Sequence, residues 1–448
     1  MNSTYILGAG FSRAVSASMP LLTELGRRVR EGDPVLYERV QPYEIEQFES
    51  WMSQALSPQP YRSSAENLEA RGLYLRAARQ IGEILREEVV SATSVSLPHW
   101  LQALAEIWHS TRATVSTFNY DTLVEIAARR ARLFDPDARV IVPWPTVINF
   151  APGGHASLTF SEDGRDAAWR SFDLLKLHGS INWYWVPEDD AHATLERVPL
   201  YDAEYDDELR YDPDRWVPGK EPNIVPPVAL KSSFYGGAIT THLWRKASES
   251  LRRADEIVIM GYSVPMTDLT TLGLFRESLA NNASVRIVIC DLDPAAVVER
   301  ISRVLPPDID VTFDRYEGLD AVEQFTSARL KQTHRSALGS IREVLAAQPQ
   351  AHLGAPGGER QLRQVLSLHA AGGEVTCRVS EPFHASGRAS DPIVYAGDLL
   401  AELDGANSLK IAEPSGDRTV WGVRGQNDGD AEWLVLSAGL GGSGFRPV

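Results

Sequence analysis

The chain of 448 residues is long enough for two or three domains, and its 43% hydrophobic and 23% charged residues are typical of a soluble globular protein. Its net charge of −16 disfavours direct binding to nucleic acid, and its two cysteines, Cys290 and Cys377, cannot supply a four-cysteine zinc site. No segment reaches the roughly 20 apolar residues of a membrane span, and the N-terminus lacks a secretion-signal pattern, so we expect a cytoplasmic protein without a membrane partner.

The first predicted unit is a strand, a glycine turn and a helix. Residues 4–7 form a short apolar run, Gly8-Ala9-Gly10 follows, and the helix begins near Phe11. A dinucleotide pyrophosphate needs backbone N–H donors and an approach clear of side chains, which the two glycines offer, and Ser12 adds a hydroxyl donor. Such a turn, taken alone, more often only joins a strand to a helix.

A helical periodicity over about 34–90 predicts a helical insertion or cap.

A strand at 113–117 then leads into Phe118-Asn119-Tyr120-Asp121, with a helix through Ala131. Ligands collect at the carboxyl ends of strands in open α/β sheets, so the Asn119 amide is placed to orient a water and Asp121 to bond a ligand amide or hydroxyl. The alternative is that one of these residues only caps the following helix.

The strand predicted at 174–177 ends at His178-Gly179, between a loop region at 143–169 and an acidic segment at 187–227 that we place on the surface. Histidine is the usual general base near neutral pH, and the glycine allows close approach of a substrate. A lone histidine after an apolar strand is more often structural.

Two further strand–helix units follow. Residues 256–260 lead into Gly261-Tyr262-Ser263, which resembles a second phosphate- or ribose-binding turn. Residues 285–290 lead into Asp291, a carboxylate at the position of an adenosine-ribose acceptor, before a helix at 295–304.

Beyond a helix through 346, 13 of the 33 glycines fall in the last 78 residues among short β-like runs, which predicts a separate β-rich module.

These patterns predict an α/β fold, a Rossmann-like parallel sheet flanked by helices, with a helical insertion and a small β-rich C-terminal module. We divide the chain into a catalytic domain at 1–330 and a module of unknown function at 331–448.

The ordered motifs GAGFS, TFNYD, LHG, GYSVP and ICDLDP resemble the sirtuin-like NAD-binding domain of bacterial defence proteins over roughly residues 1–320. The resemblance implies catalytic roles for Asn119, Asp121 and His178. It also implies NAD contacts, and these fall on Gly8, Ala9, Gly10, Phe11, Ser12, Asn119, Asp121, Gly261, Ser263 and Asp291.

Three departures distinguish this chain from the protein deacylases of that family. It has no CxxC pair, so no zinc is expected; Ser18 to Thr23 stand where the family's GIPDFR loop runs; and Phe118 replaces the glutamine before Asn119. These changes resemble instead the branch that depletes NAD⁺ in infected bacteria.

The sequence therefore predicts an NAD⁺ hydrolase that releases nicotinamide and ADP-ribose, acting as a regulated effector of anti-phage defence. The family resemblance implies a homo-oligomer, sometimes with a separately encoded partner such as an ATPase, an Argonaute or a sensor. The alternatives are an NAD-dependent deacylase or ADP-ribosyltransferase, and a non-catalytic sensor of NAD or ADP-ribose. A Rossmann oxidoreductase ranks last because the turn lacks the third glycine of GxGxxG.

Overall fold

A computed structural model describes residues 2–131, 133–135, 140–141, 171–185, 195–197, 221–228, 235–280, 282, 284–330 and 332, and the backbone of short strands between 352 and 446. The predicted loop at 143–169 lies outside the described residues. The predicted helix through 346 also lies outside them beyond residue 332.

The core of the protein is a six-stranded parallel sheet. Its strands are β1 (Ser3–Leu7), β2 (Thr114–Thr117), β5 (Asp173–Lys176), β9 (Glu256–Met260), β10 (Ser284–Asp291) and β11 (Asp310–Glu317). They lie in the order β5-β2-β1-β9-β10-β11. Ranked by position in the chain, this is 3-2-1-4-5-6, the order of dinucleotide-binding sheets. The order reverses between β1 and β9, and ligands of such sheets bind in the crevice at that point.

The central strands are continuous apolar runs because both faces of the sheet are covered. All five residues of β9 are buried, and so are four of the five in β1. By contrast, the edge strand β11 alternates exposed and half-buried residues. The predicted fold class, a Rossmann-like parallel sheet flanked by helices, is confirmed.

Helices fill the chain between the first two strands and after each later one. They are α1 (Ala9–Val15), α2 (Leu22–Gly32), α3 (Pro34–Arg39), α4 (Pro42–Ile45), α5 (Phe48–Leu56), α6 (Ser64–Thr93), α7 (His99–Thr111), α8 (Leu123–Arg130), α9 (Ala238–Arg253), α10 (Leu269–Leu279), α11 (Pro294–Ser302) and α12 (321–330). The segment at 34–90 is helical as expected, and helices continue on both sides of it. α6 begins at a capping box, in which Ser63 and Glu66 each accept from the other's backbone N–H.

A second, small sheet lies at the carboxyl side of β5. It consists of β6 (Gly179–Trp185), β7 (Leu195–Arg197) and β8 (Glu221–Ile224), with β6 between the other two. The surface position expected for all of 187–227 is wrong at its end, because residues 223–226 are buried. β8 pairs there with β6, and the N–H of Val225 donates to the carbonyl of His178 across 2.8 Å.

Short strands also pair by backbone outside the main sheet. They are β3 (Phe134–Asp135), β4 (Val140–Ile141), β12 (His352–Gly354), β13 (Gln361–Leu362), β14 (Val365–Ala371), β15 (Glu374–Val379), β16 (Phe383–His384), β17 (Ser408–Ala412), β18 (Val420–Arg424), β19 (Leu434–Gly439) and β20 (Gly442–Arg446). The nine strands from β12 onward agree with the β-rich character expected of the C-terminal segment.

Candidate active site

The residues singled out by sequence lie at the carboxyl ends of neighbouring parallel strands. Gly8 follows β1, Asn119 follows β2, His178 follows β5 and Gly261 follows β9. Since these four strands are adjacent in the sheet, the side chains and turns that follow them share one edge. This edge includes the point of order reversal between β1 and β9.

The glycines of the first and fourth motifs pack directly against each other. A Cβ on Gly8 would lie 2.6 Å from the carbonyl oxygen of Gly261, and one on Gly10 would lie 2.8 Å from the Cα of Gly261. Gly261 itself has a φ of +57°, and a Cβ there would come within 2.1 Å of the Phe11 nitrogen. Close packing of the two turns therefore requires glycine at all three positions.

This packing also uses backbone donors of the first turn. The N–H groups of Gly8, Gly10 and Phe11 donate to Met260, Gly261 and Gly8 carbonyls respectively. Ala9 is exposed, whereas the Phe11 side chain is buried between Trp100 and Trp108. A bound cofactor would therefore meet Phe11 only through its backbone.

Three side chains form a hydrogen-bonded group between the first two strand ends. The Ser12 hydroxyl donates to Oδ2 of Asp121 at 2.6 Å, and Nδ2 of Asn119 donates to the same hydroxyl at 2.8 Å. Oδ1 of Asp121 accepts from the N–H of Leu123 at 3.2 Å, so Asp121 also stabilises the start of α8. The Asp121 carboxylate therefore stabilises the helix start, as the capping interpretation expects, and its role toward a ligand stays a prediction.

The orientation of the Asn119 amide is determined by its second partner. Nδ2 also donates to the carbonyl of Gly8 at 2.8 Å. A carbonyl oxygen only accepts hydrogen bonds, so the amide nitrogen must face it and Oδ1 must point away. Within the described part of the chain no group donates to this Oδ1, which is therefore presented as an acceptor.

A buried lysine holds the loop that carries Asn119 and Asp121. Nζ of Lys176 forms an ion pair with Glu125 at 3.0 Å and donates to the carbonyls of Tyr120 and Asp121. The Lys176 side chain is 0% exposed and that of Glu125 is 3% exposed. The ammonium thus fixes the loop from beneath, at the cost of desolvating two charges.

His178 lies within a cluster of aromatic rings. Its imidazole centroid is 4.9 Å from that of Phe118, 6.4 Å from those of Tyr120 and Tyr235, and 6.5 Å from that of Trp244. The Phe118 ring in turn lies 4.5 Å from Tyr262 of the fourth motif. Phe118 therefore links the second, third and fourth motifs.

The three phenols near this histidine remain protonated. Burial raises the pKa of Tyr120, Tyr235 and Tyr262 far above its ordinary value, and the Asp268 carboxylate raises it further in each case. These hydroxyls therefore act as neutral hydrogen-bonding groups throughout the physiological pH range.

The remaining predicted residues lie farther along the same edge. Ser263 is exposed, and its carbonyl accepts from Arg300 at 2.7 Å. Asp291, at the end of β10, is half-buried and accepts from the N–H of Asp293 at 3.1 Å. Among the described residues, no hydrogen bond joins either residue to Ser12, Asn119 or Asp121.

Sequence reasoning missed Lys176, Glu125, Tyr235 and Trp244. Lys176 carried a signal, because a charged residue inside an apolar strand requires a buried partner. Tyr235 carried none, since its contact with His178 depends on how α9 packs against β5.

The described residues contain neither a membrane-spanning helix nor a cluster of metal-ligating side chains. No helix among them has the length and apolarity needed to cross a membrane. No group of three or more histidine, cysteine, aspartate or glutamate side chains in that part of the chain is arranged to bind a metal ion.

No family model matches the chain, and no curated protein matches it. Solved structures do match. A Sir2 homologue in complex with NAD is 14% identical, with 73% of this chain and 90% of that chain covered and a TM-score of 0.34. Sir2Tm bound to a propionylated peptide is 15% identical, with 74% and 92% covered and a TM-score of 0.34. Similarity at this level does not assign the chain to a family.

Proposed function

We propose that this protein binds NAD⁺ and hydrolyses its nicotinamide–ribose bond to nicotinamide and ADP-ribose. The supporting observation is the hydrogen-bonded group of Ser12, Asn119 and Asp121, which lies beside the crevice of a sheet with dinucleotide-binding strand order. His178 follows the next strand, β5, at the same edge. The motif resemblance supplies the choice of NAD⁺.

The chemistry requires positioning more than a strong nucleophile. When the bond between C1′ and the pyridinium nitrogen breaks, its electron pair neutralises the positive charge of the leaving group. Water then forms the new C1′–O bond, and one water proton leaves for a base. The protein has to align that water and stabilise positive charge on the ribose.

Asn119 is proposed to align the water. Its Nδ2 is fixed by Gly8 and Ser12, so its Oδ1 is held in one direction as a hydrogen-bond acceptor. A water that donates to this oxygen keeps a lone pair for C1′. Rigid placement matters, because a displacement of about 1 Å can cost about 100-fold in rate.

Asp121 is proposed to hold the nicotinamide carboxamide. Each of its oxygens already accepts one hydrogen bond, but an ionised carboxylate has roughly four acceptor sites. It therefore retains capacity for a ligand N–H. His178 is proposed to contact the ribose hydroxyls or accept the proton released by water.

The remaining contacts with NAD⁺ are proposed from the motifs. The turn at 8–12 would face the pyrophosphate, and Gly261, Ser263 and Asp291 would lie along the adenosine side, toward β10. No zinc takes part in this scheme.

The biological role that we propose is depletion of NAD⁺ in bacterial anti-phage defence. An enzyme that always destroyed NAD⁺ would poison its own cell, so restraint is required. Assembly with further copies, or with a separately encoded ATPase, Argonaute or sensor, is proposed to supply it.

The test is incubation of the purified protein with NAD⁺ over a series of protein concentrations, with nicotinamide and ADP-ribose quantified. We expect Asn119→Ala to lower the rate about 100-fold and His178→Ala to lower it by about 10²–10⁴-fold. His99→Ala, an exposed histidine at the start of α7, is the matched control and should retain wild-type activity.

Each alternative has its own outcome in this assay. Release of nicotinamide only in the presence of an acyl-lysine peptide or another acceptor would identify a deacylase or ADP-ribosyltransferase. Tight binding of NAD⁺ or ADP-ribose without nicotinamide release at any protein concentration would identify a sensor.

A further inference from the structure

The hydroxyl of Tyr235 lies 3.2 Å from Nε2 of His178. Tyr235 is half-buried, whereas His178 is only 6% exposed. Tyr235 therefore has partial access to solvent beside a largely enclosed imidazole. No sequence motif included this tyrosine.

Two contacts with α9 hold Tyr235 in this position. Its carbonyl accepts from the Thr241 hydroxyl at 3.1 Å, which ties it to the first turn of α9. Its ring lies 4.8 Å from that of Trp244, and the Trp244 indole N–H donates to the carbonyl of Leu177 at 3.2 Å. The helix that follows Tyr235 is thereby joined to Leu177, the residue before His178.

The direction of this hydrogen bond is tied to the tautomer of the His178 imidazole. Nε2 is the only hydrogen-bond partner of the Tyr235 hydroxyl among the described residues. The phenol can donate to Nε2 only when this nitrogen is unprotonated, so a hydrogen bond in this direction places the imidazole proton on Nδ1. Burial raises the pKa of the phenol far above its ordinary value, so no stable phenolate competes with this arrangement.

We propose that Tyr235 is a further catalytic residue, which relays a proton from the attacking water or a ribose hydroxyl to Nε2 of His178. As the substrate oxygen releases its proton to the phenol oxygen, the phenol proton passes to Nε2, and the phenol remains neutral throughout. The imidazole becomes an imidazolium and later returns the proton to solvent by the same route. This relay rests on the proposed hydrolysis of NAD⁺, whereas the contact between the Tyr235 hydroxyl and Nε2 does not.

The kinetic test uses Tyr235→Phe, His178→Ala and the double variant in the nicotinamide-release assay with full-length protein. Phenylalanine keeps the ring contact with Trp244, so the fold should be retained. We expect Tyr235→Phe to lower kcat about 100-fold with little change in KM, and the double variant to be no slower than His178→Ala. Tyr316→Phe, at the opposite edge of the sheet, is the matched control and should behave as wild type.

Two kinetic results would overturn the relay. One is a Tyr235→Phe enzyme as active as Tyr316→Phe. The other is a double variant slower than either single variant by the product of their separate losses, because independent roles multiply. A wild-type enzyme that releases no nicotinamide would overturn the proposed function instead.

A second measurement is independent of activity. In protein labelled with ¹⁵N-histidine, with the His178 signals assigned through His178→Ala, the wild type should show protonated Nδ1 and unprotonated Nε2 near neutral pH. Tyr235→Phe should shift these signals toward a mixture of tautomers. Unchanged signals would show that Tyr235 does not donate to Nε2 and would overturn the relay even in an active enzyme.

Discussion

The hydroxyl of Ser12 donates to Oδ2 of Asp121 across 2.6 Å and joins two segments that are 109 residues apart in the chain. The Ser12 hydroxyl oxygen in turn accepts from Nδ2 of Asn119. Ser12 therefore orients both residues that are proposed to touch the nicotinamide end of NAD⁺. Its own contact with a ligand is not required for this role.

Ser12→Ala should lower kcat/KM for nicotinamide release by about 10–100-fold, because both Asn119 and Asp121 lose a partner that fixes their orientation. Loss of a buried hydrogen bond to a charged group should also cost about 1–3 kcal/mol of unfolding free energy. Steady-state kinetics and urea denaturation measure the two effects. Ser16→Ala, at the other end of α1, is the control, and equal activity of the two variants would contradict this role.

Gly261→Ala should destabilise the protein by more than about 1 kcal/mol, since alanine is strained at positive φ. The new Cβ would also meet the Phe11 nitrogen at 2.1 Å, which would force apart the two turns at the sheet edge. Gly273→Ala offers a clean comparison, because Gly273 lies in α10 with no atom within 4 Å of an added Cβ. That substitution should stabilise by about 0.5–1 kcal/mol, and thermal melts of both variants would show whether the signs differ.

The sequence was most informative where physical constraints are local. β1 and β9 were predictable because buried parallel strands are continuous apolar runs, and the strand-end rule then predicted that Ser12, Asn119, Asp121 and His178 would be neighbours. β11 was missed because an edge strand with exposed charged residues lacks that pattern.

Other features depend on packing that no local pattern reveals. The glycines at the turns are predicted to leave room for a phosphate. They are also required by the contact between Gly10 and Gly261, which belong to turns far apart in the chain. Tyr235 reaches His178 only through the placement of α9, and no spacing in the sequence encodes that contact.

Asp33 should make the stability of the helical segment depend on acid pH. Its burial alone would raise the pKa of the carboxyl, but hydrogen bonds from Arg76 and from the N–H groups of Leu36 and Val35 outweigh this and lower the pKa. A group with a lowered folded-state pKa stabilises the protein above its unfolded pKa, and this contribution is lost as pH falls through the folded-state value.

The expected result is that Asp33→Asn has a smaller loss of unfolding free energy than wild type as pH falls below about 5. Urea denaturation at several pH values measures it. Asp308→Asn, at an exposed position, controls for removal of one negative charge. Parallel curves for wild type and Asp33→Asn would show that the Asp33 carboxylate does not contribute.

Lys176→Met should be among the most damaging single substitutions near the site. It leaves Glu125 as an uncompensated buried charge and removes the donor that binds the Tyr120 and Asp121 carbonyls. Loss of one member of a buried pair costs about 3–5 kcal/mol, and freeing the loop should also slow nicotinamide release. Lys246→Met, whose partner Asp173 lies 3.7 Å away at the surface, should cost at most about 1 kcal/mol.

A double-mutant cycle separates the ion pair from the loop contacts. Lys176→Met combined with Glu125→Leu removes both charges, so unfolding free energy should recover by a large part of the single-variant loss. Activity should not recover to the same extent, because the carbonyls of Tyr120 and Asp121 still lack their donor. Recovery of activity in step with stability would mean that Lys176 acts on the site only through the ion pair, and not by fixing the loop that carries Asn119.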